Sequence, residues 1–354
     1  MAAVSSDFSS GGVNYVNLDS ASYDIMGPYH ETGSDIAVVG GQGFHYLLGR
    51  YNLDNISKID MANYAQKTWD EFSVIPEGEQ NTGNPYNLIT VNDQKAYLIR
   101  YNSDKISIVN PSARNEAEFF TDTPPLKLSD YVPASSAGQV PQISSAALAD
   151  NKLFVTLQRL DENYEPNNTG YVAVFDVSTN EEIDTGKGAD DNLKGIPLEG
   201  TNPADIQYHE GIGLVVKNLG TNFSTYGNGT SVDIIDSNYN VTSMIQPTAD
   251  KGQIKDLVII SATEGYLINL TDYQNTAVQR FDPSVGRDSF KTIADLSKGD
   301  FRDIELSPKG NLWVADANTA SPGIRILRPS DDTQIKFVDS PRGLLPNDIA
   351  FVTE

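Results

Sequence analysis

A short phrase recurs along this chain at intervals of roughly fifty residues. It is a polar residue followed by an aliphatic one that opens an apolar run. The copies are Asp35-Ile36, Asn87-Leu88, Gln142-Ile143, Asp205-Ile206, Asp256-Leu257, Asp303-Ile304 and Asp348-Ile349. Seven copies predict seven repeats of one supersecondary unit. In a radial repeat, equivalent residues form a ring, so five Asp, one Asn and one Gln are expected around one axis.

Each phrase opens a similar series: a short apolar strand, a polar turn, a second strand, a polar loop of variable length and a third strand. Residues 44–60 match 96–110, since both carry Arg-Tyr-Asn, then an Asp, then Ile-Ser. Third strands end at Asp19, Asp60, Asn110, Asp176, Asp236, Asp282 and Arg328, and Pro111, Pro283 and Pro329 follow three of them. Short alternating runs rich in β-branched and aromatic residues read as strand after strand. Residues 62–72 read as a helical turn or an irregular outer strand, and Gly40-Gly41-Gln42-Gly43 as a turn between strands.

The two chain ends complete each other. Residues 346–352 are a first strand with nothing after it, while 2–7, 12–19 and 21–26 read as second, third and fourth strands. The expectation is one all-β domain over 1–354, a seven-bladed β-propeller closed by pairing the C-terminal strand with N-terminal ones. The composite blade is 1–26 plus 346–354, and the internal blades are about 33–77, 84–122, 140–185, 202–247, 253–297 and 300–340.

The units 55–60, 105–110 and 170–176 resemble the YVTN repeats of exported YncE-like bacterial β-propellers, whose third strand ends in a Ser-Val-Ile-Asp type of segment. Residues 301–316 are similar to a repeat of the NHL, SMP-30 and streptogramin-lyase propellers. The resemblance covers most of the chain as architecture and implies a propeller. These repeats serve many functions. Longer loops and irregular spacing set the chain apart from tidy YVTN repeats.

Charge narrows the partners. There are 25 Lys and Arg against 48 Asp and Glu, a formal net charge of -23. Such a surface repels nucleic-acid phosphate and anionic lipid. Cys is absent, which excludes disulfides and thiolate chemistry. No run reaches the ~18 apolar residues of a membrane span, and no signal peptide is written into the sequence. The opening Met-Ala-Ala-Val-Ser-Ser is either a native cytosolic start or what remains after removal of an export signal. The Asn-, Ser-, Thr- and Tyr-rich loops favour the second, so the expectation is a periplasmic or extracellular protein whose signal or lipid-anchor segment has been removed, and a monomer.

Three groups of residues are candidate sites. The ring of Asp35, Asn87, Gln142, Asp205, Asp256, Asp303 and Asp348 has two readings. Its side chains cap backbone N–H groups in every blade, or some of them hold Ca²⁺ or Mg²⁺. The second-strand ends carry Arg50, Arg100, Arg159 and Lys217, then Asn269 and Asp316. This basic arc suits an anionic small molecule or sugar acid, or else neutralises the ring. The loops that follow carry Tyr51, Tyr101, Tyr164, Phe223, Tyr226 and Tyr273, which suit a glycan or protein partner or are scattered surface aromatics.

Catalytic constellations are thin. His30, His45 and His209 fall in different blades or connections. The acidic loop from Asp161 lacks EF-hand spacing and reads as solvated. The leading expectation is a non-enzymatic binding or scaffold propeller. The rival is a divalent-metal-dependent lactonase or lyase, and a third reading is the interaction-bearing part of a surface assembly.

Overall fold

Runs such as Leu153-Phe154-Val155 and Ile106-Ser107-Ile108 are short, largely β-branched or aromatic, and bounded by polar turns. They form strands, as these residues fit a pleated, half-buried surface. The computed structural model describes residues 1–6, 9–20, 22–80, 82–221, 229–248, 252–272 and 275–352. The described chain folds into seven four-stranded antiparallel sheets set in a ring, a seven-bladed β-propeller.

In chain order, the first strands of blades one to six are Ile36–Gly40, Pro85–Asn92, Ile143–Ala149, Pro203–His209, Gln253–Ser261 and Phe301–Leu306. The seventh blade takes its first strand, Leu345–Ala350, from the C-terminal region. Its other strands are Ala2–Ser6, Gly11–Val16 and Ile25–Thr32. Ala2 faces Ala350, Ala3 faces Ile349 and Val4 faces Asp348 across the closing ladder. The expected closure is present, and it leaves no open end in the ring.

Fourth strands differ most from expectation. In the composite blade the fourth strand is Ile25–Thr32, further along than residues 21–26. In blades two and three it is Leu126–Lys127 and Ile196–Pro197, beyond residues 122 and 185. An outer strand with one solvated face, or only two residues long, carries little alternation to read. The 62–72 stretch supplies both expected features, a 3-10 turn at Met61–Asn63 and the outer strand Lys67–Ser73.

The core is divided among the blade interfaces. At one of them Tyr97, Ile99 and Ile106 of blade two meet Ile143, Val155 and Phe175 of blade three. At another, Ala3 and Val16 of the composite blade meet Trp313, Ala315 and Ile326 of blade six. In three blades a lysine also ties the blade to the turn after the third strand of the next. Lys58 donates to the Pro111 carbonyl at 2.7 Å and lies over the Phe44 ring. Lys95 donates to the Val177 carbonyl at 2.5 Å, and Lys309 to the Leu18 carbonyl at 2.6 Å. These bonds help set the angle between blades and so the width of the central channel.

Candidate functional site

The first strands line the channel, and a shared irregularity shapes them. In six blades the first-to-second strand ladder shifts register near its start. The residues at the shift are Tyr86, Ser144, Ala204, Lys255, Arg302 and Asn347. A bulge re-aims the side chain it carries. All six line one central cavity of about 720 Å³.

The residue after each bulge occupies the ring position. Register places Asn87, Ser145, Asp205, Asp256, Asp303 and Asp348 there, and Ala37 in blade one, which has no shift. Two of the residues expected in the ring are therefore out of phase. The Asp35 and Gln142 carbonyls accept from Arg50 N and Gln158 N, as Asn84, Asn202 and Asp300 accept from Tyr101, Leu219 and Ala317. Asp35 and Gln142 thus belong to the strand entrance. Gln142 is fully buried, donating to the Ala137 carbonyl and accepting from Leu160 N. The ring is asymmetric in consequence: four successive blades present Asp, and the other three present Ala, Asn and Ser.

Ring side chains tie blade to blade. Asp256 accepts from Ile304 N at 3.1 Å, Asp303 from Ile349 N at 2.6 Å, and Asp348 from Val38 N at 2.7 Å. Ser145 donates to Asp205 at 2.9 Å across the next interface. Asn87 instead accepts from its neighbour Leu88 N at 2.8 Å.

The electrostatics follow from crowding. Burial, then Asp256 and Asp348, push the Asp303 carboxyl well above the usual range, and it is hydrogen-bonded to Asp256. Glu305, two residues further along that strand, is pushed up by burial and the same neighbours. Burial raises Asp348 to about 6, against the pull of Val38 N–H and Arg50. For Asp256, burial is outweighed by Lys217, whose ammonium stands 2.8 Å away, and its carboxyl is lowered.

Three raised carboxyls stabilise the fold below their unfolded range near pH 4, and that stability is lost as pH climbs through their folded values. For Asp348 the window is about pH 4 to 6. Asp303→Asn keeps an acceptor for Ile349 N and a donor for Asp256 while deleting a charge. We expect it to stabilise the protein by about 1–2 kcal/mol at pH 8 and to flatten the fall in melting temperature between pH 5 and 8. A lower melting temperature at pH 8 would count against the crowded ring.

The basic arc does not form, because the pleat separates its members. Ladder pairing puts Lys217 opposite Asp205 and Arg100 opposite Pro85, two residues short of the ring residue Asn87. A shift of one residue turns a side chain to the other face. Lys217 and Arg50 line the cavity. Arg100 is buried, 1% exposed, and pairs with Glu79 at 2.6 Å. Arg159 donates to the Tyr131 and Thr169 carbonyls and covers the Tyr171 ring. Asn269 and Asp316 are buried, and Asp316 pairs with Arg325 at 2.7 Å. Arg50 pairs with Asp35 at 2.6 Å and lies over Tyr86, which stacks on Tyr101 with centroids 4.8 Å apart. Tyr51 and Tyr164 are exposed loop residues. Phe223, Tyr226 and Tyr273 lie outside the described residues.

Lys255, Arg302, Tyr86 and Asn347 were not singled out from sequence, although Lys255 and Arg302 each directly precede a ring Asp. Arg302 pairs with Asp300 at 2.8 Å and donates to Asn347. The histidines stand away from the cavity. His30 and His45 flank Tyr15, with centroids 5.9 and 5.7 Å away, and burial lowers His45 to about 3. Asp161 caps its own loop, accepting from Asn163 N, Glu165 N and Asn167. Among the described residues no three His, Cys, Asp or Glu side chains are grouped to hold a metal ion.

No family model matches the chain, and no curated protein matches it in sequence. Solved structures do match. Hydrazine synthase from Kuenenia stuttgartiensis has a TM-score of 0.61 at 13% identity, covering 95% of this chain and 92% of that one. A protein from Lactobacillus plantarum has a TM-score of 0.61 at 14% identity, covering 99% and 97%. A catalytically inactive virginiamycin B lyase from Staphylococcus aureus, with quinupristin, has a TM-score of 0.54 at 11% identity, covering 95% and 91%. At these identities the likeness is one of fold, and the fold this chain shares with them is the β-propeller.

Proposed function

We propose that this chain is a non-enzymatic binding or scaffold propeller of the exported, YncE-like kind, with its ligand or partner at the mouth of the central channel. One observation carries the reading: six bulge positions direct different side chains into a single cavity of about 720 Å³. The geometry repeats while the chemistry varies, which is what selective recognition requires. The volume lies within the ~300–1,000 Å³ typical of small-ligand sites. Arg50, Lys255 and Arg302 supply positive charge at the mouth, and Tyr86 stacked on Tyr101 supplies an aromatic surface. An anionic small molecule or an acidic glycan fits that set best.

The metal-enzyme alternative draws less support. Asp256, Asp303 and Asp348 each use an oxygen on a backbone N–H of the next blade. Since the solved neighbours include a synthase and a lyase, the fold alone does not choose between binding and catalysis. Export rests on the Asn-, Ser-, Thr- and Tyr-rich loops; among the described residues no helix is long and apolar enough to cross a membrane.

Calorimetric titration against small carboxylates, sugar acids and neutral sugars tests the reading. Acids should bind and neutral sugars should not. Lys255→Ala and Arg302→Ala should each weaken binding about tenfold or more. Arg114→Ala, at an exposed ion pair away from the channel, should leave it unchanged. Failure of every acid to bind, or equal binding by all three variants, would overturn the proposal.

A further inference from the structure

The channel is polarised from mouth to depth. Arg50, Lys255 and Arg302 stand at the mouth, on or beside the strand entrances. Below them the same cavity is lined by Asp205, Asp256, Asp303, Glu305 and Asp348, with Lys217 as the ammonium among them. Two of these groups lack partners. Among the described residues neither the Lys255 ammonium nor the Glu305 carboxyl makes a hydrogen bond or ion pair. Glu305 is half-buried and lines the channel cavity.

Resting on the binding reading above, we infer that the ligand is amphoteric. Its carboxylate is held at the mouth by Lys255 and Arg302, and its primary ammonium is held deeper by Glu305 and Asp303. Five carboxyls face one ammonium in the lower channel, so an incoming cation relieves repulsion that bound protons now relieve. Glu305 offers acceptor oxygens that no protein donor occupies. The two charged levels also have a fixed spacing. Arg302 and Glu305 are three residues apart on one strand, at most about 10 Å at the usual rise per residue, and the bulge at Arg302 shortens that span. A gap of that order matches the charge separation of an ω-amino acid or a short peptide.

An organic ammonium suits the lower channel better than a metal ion. An ammonium needs only hydrogen-bond acceptors within reach, whereas a metal ion needs several oxygens converging at about 2.3 Å. No such metal-holding group of side chains exists among the described residues.

The test compares 6-aminohexanoate with hexanoate, which lacks only the amine. Both are titrated calorimetrically at pH 7 into the wild type, Glu305→Gln and Lys255→Ala. The wild type should prefer 6-aminohexanoate by about tenfold or more. Glu305→Gln should abolish that preference while still binding hexanoate. Lys255→Ala should weaken both ligands together and keep the preference. Equal wild-type affinity for the two, or an unchanged preference in Glu305→Gln, overturns the amphoteric inference and leaves the anion site standing. Binding of neither also overturns it, and the wider acid screen then decides the binding reading separately. Unchanged melting temperatures identify variants that remain folded.

Discussion

Removing residues 345–354 should abolish cooperative folding. That segment contributes the entire first strand of the composite blade and its ladder to Ala2–Ser6. It contributes the buried side chains of Ile349 and Ala350 and the Asp348 carboxylate that holds Val38 N. Ile349 burial alone is worth about 1.5–3 kcal/mol, and the deletion also exposes the edge of Ala2–Ser6, which can pair with other chains. The total exceeds a large part of the ~5–15 kcal/mol that stabilises an ordinary domain. The truncated protein should be aggregated or show no sharp thermal transition by circular dichroism. A monomeric truncation with a cooperative transition within a few degrees of the full chain's would refute closure through this strand.

Lys217→Met should be the most damaging single change in the channel, and its cost should depend on pH. Burial disfavours the Lys217 ammonium, but Asp256, Asp205 and Asp303 more than offset this and raise its pKa. Methionine keeps the volume and removes the charge, leaving Asp256 among uncompensated carboxylates. Breaking a buried pair by removing one partner costs about 3–5 kcal/mol. At pH 5 the neighbouring carboxyls take up protons more readily and relieve part of that strain. Denaturant unfolding should therefore show a larger loss at pH 8 than at pH 5. Equal losses at both would mean that Lys217 acts through packing alone.

How far the sequence could be read depends on what each pattern encodes. Blade number and closure were legible, because a polar residue followed by an aliphatic one marks each strand entrance and the two chain ends are complementary fragments. The phase of the ring was only partly legible. Asp205, Asp256, Asp303, Asp348 and Asn87 sit on the channel, but Asp35 and Gln142 mark the entrance, and Ala37 and Ser145 hold the ring positions. The same phrase is written at two depths because blades one and three carry it at the entrance itself, followed by Ala37 in blade one and by the Ser144 bulge and Ser145 in blade three.

The basic arc failed for a related reason. Arg50, Arg100, Arg159 and Lys217 end similar strands at different register positions, so the pleat sends Arg100 and Arg159 into protein contacts. A useful signal was present and unused: Lys255 and Arg302 each precede a ring Asp, and Glu305 lies two residues beyond one on the same face. Short outer strands such as Leu126–Lys127 were not legible, since two residues carry no period.

The most direct test of the central claim is calorimetric titration of 6-aminohexanoate into the wild type and the Lys255→Ala/Arg302→Ala double variant, with melting temperature as the check on folding. A ligand site at the channel mouth should give measurable wild-type binding and a loss of about a hundredfold in a variant that still melts like the wild type. Equal affinity in the two proteins would contradict a ligand site at the channel mouth.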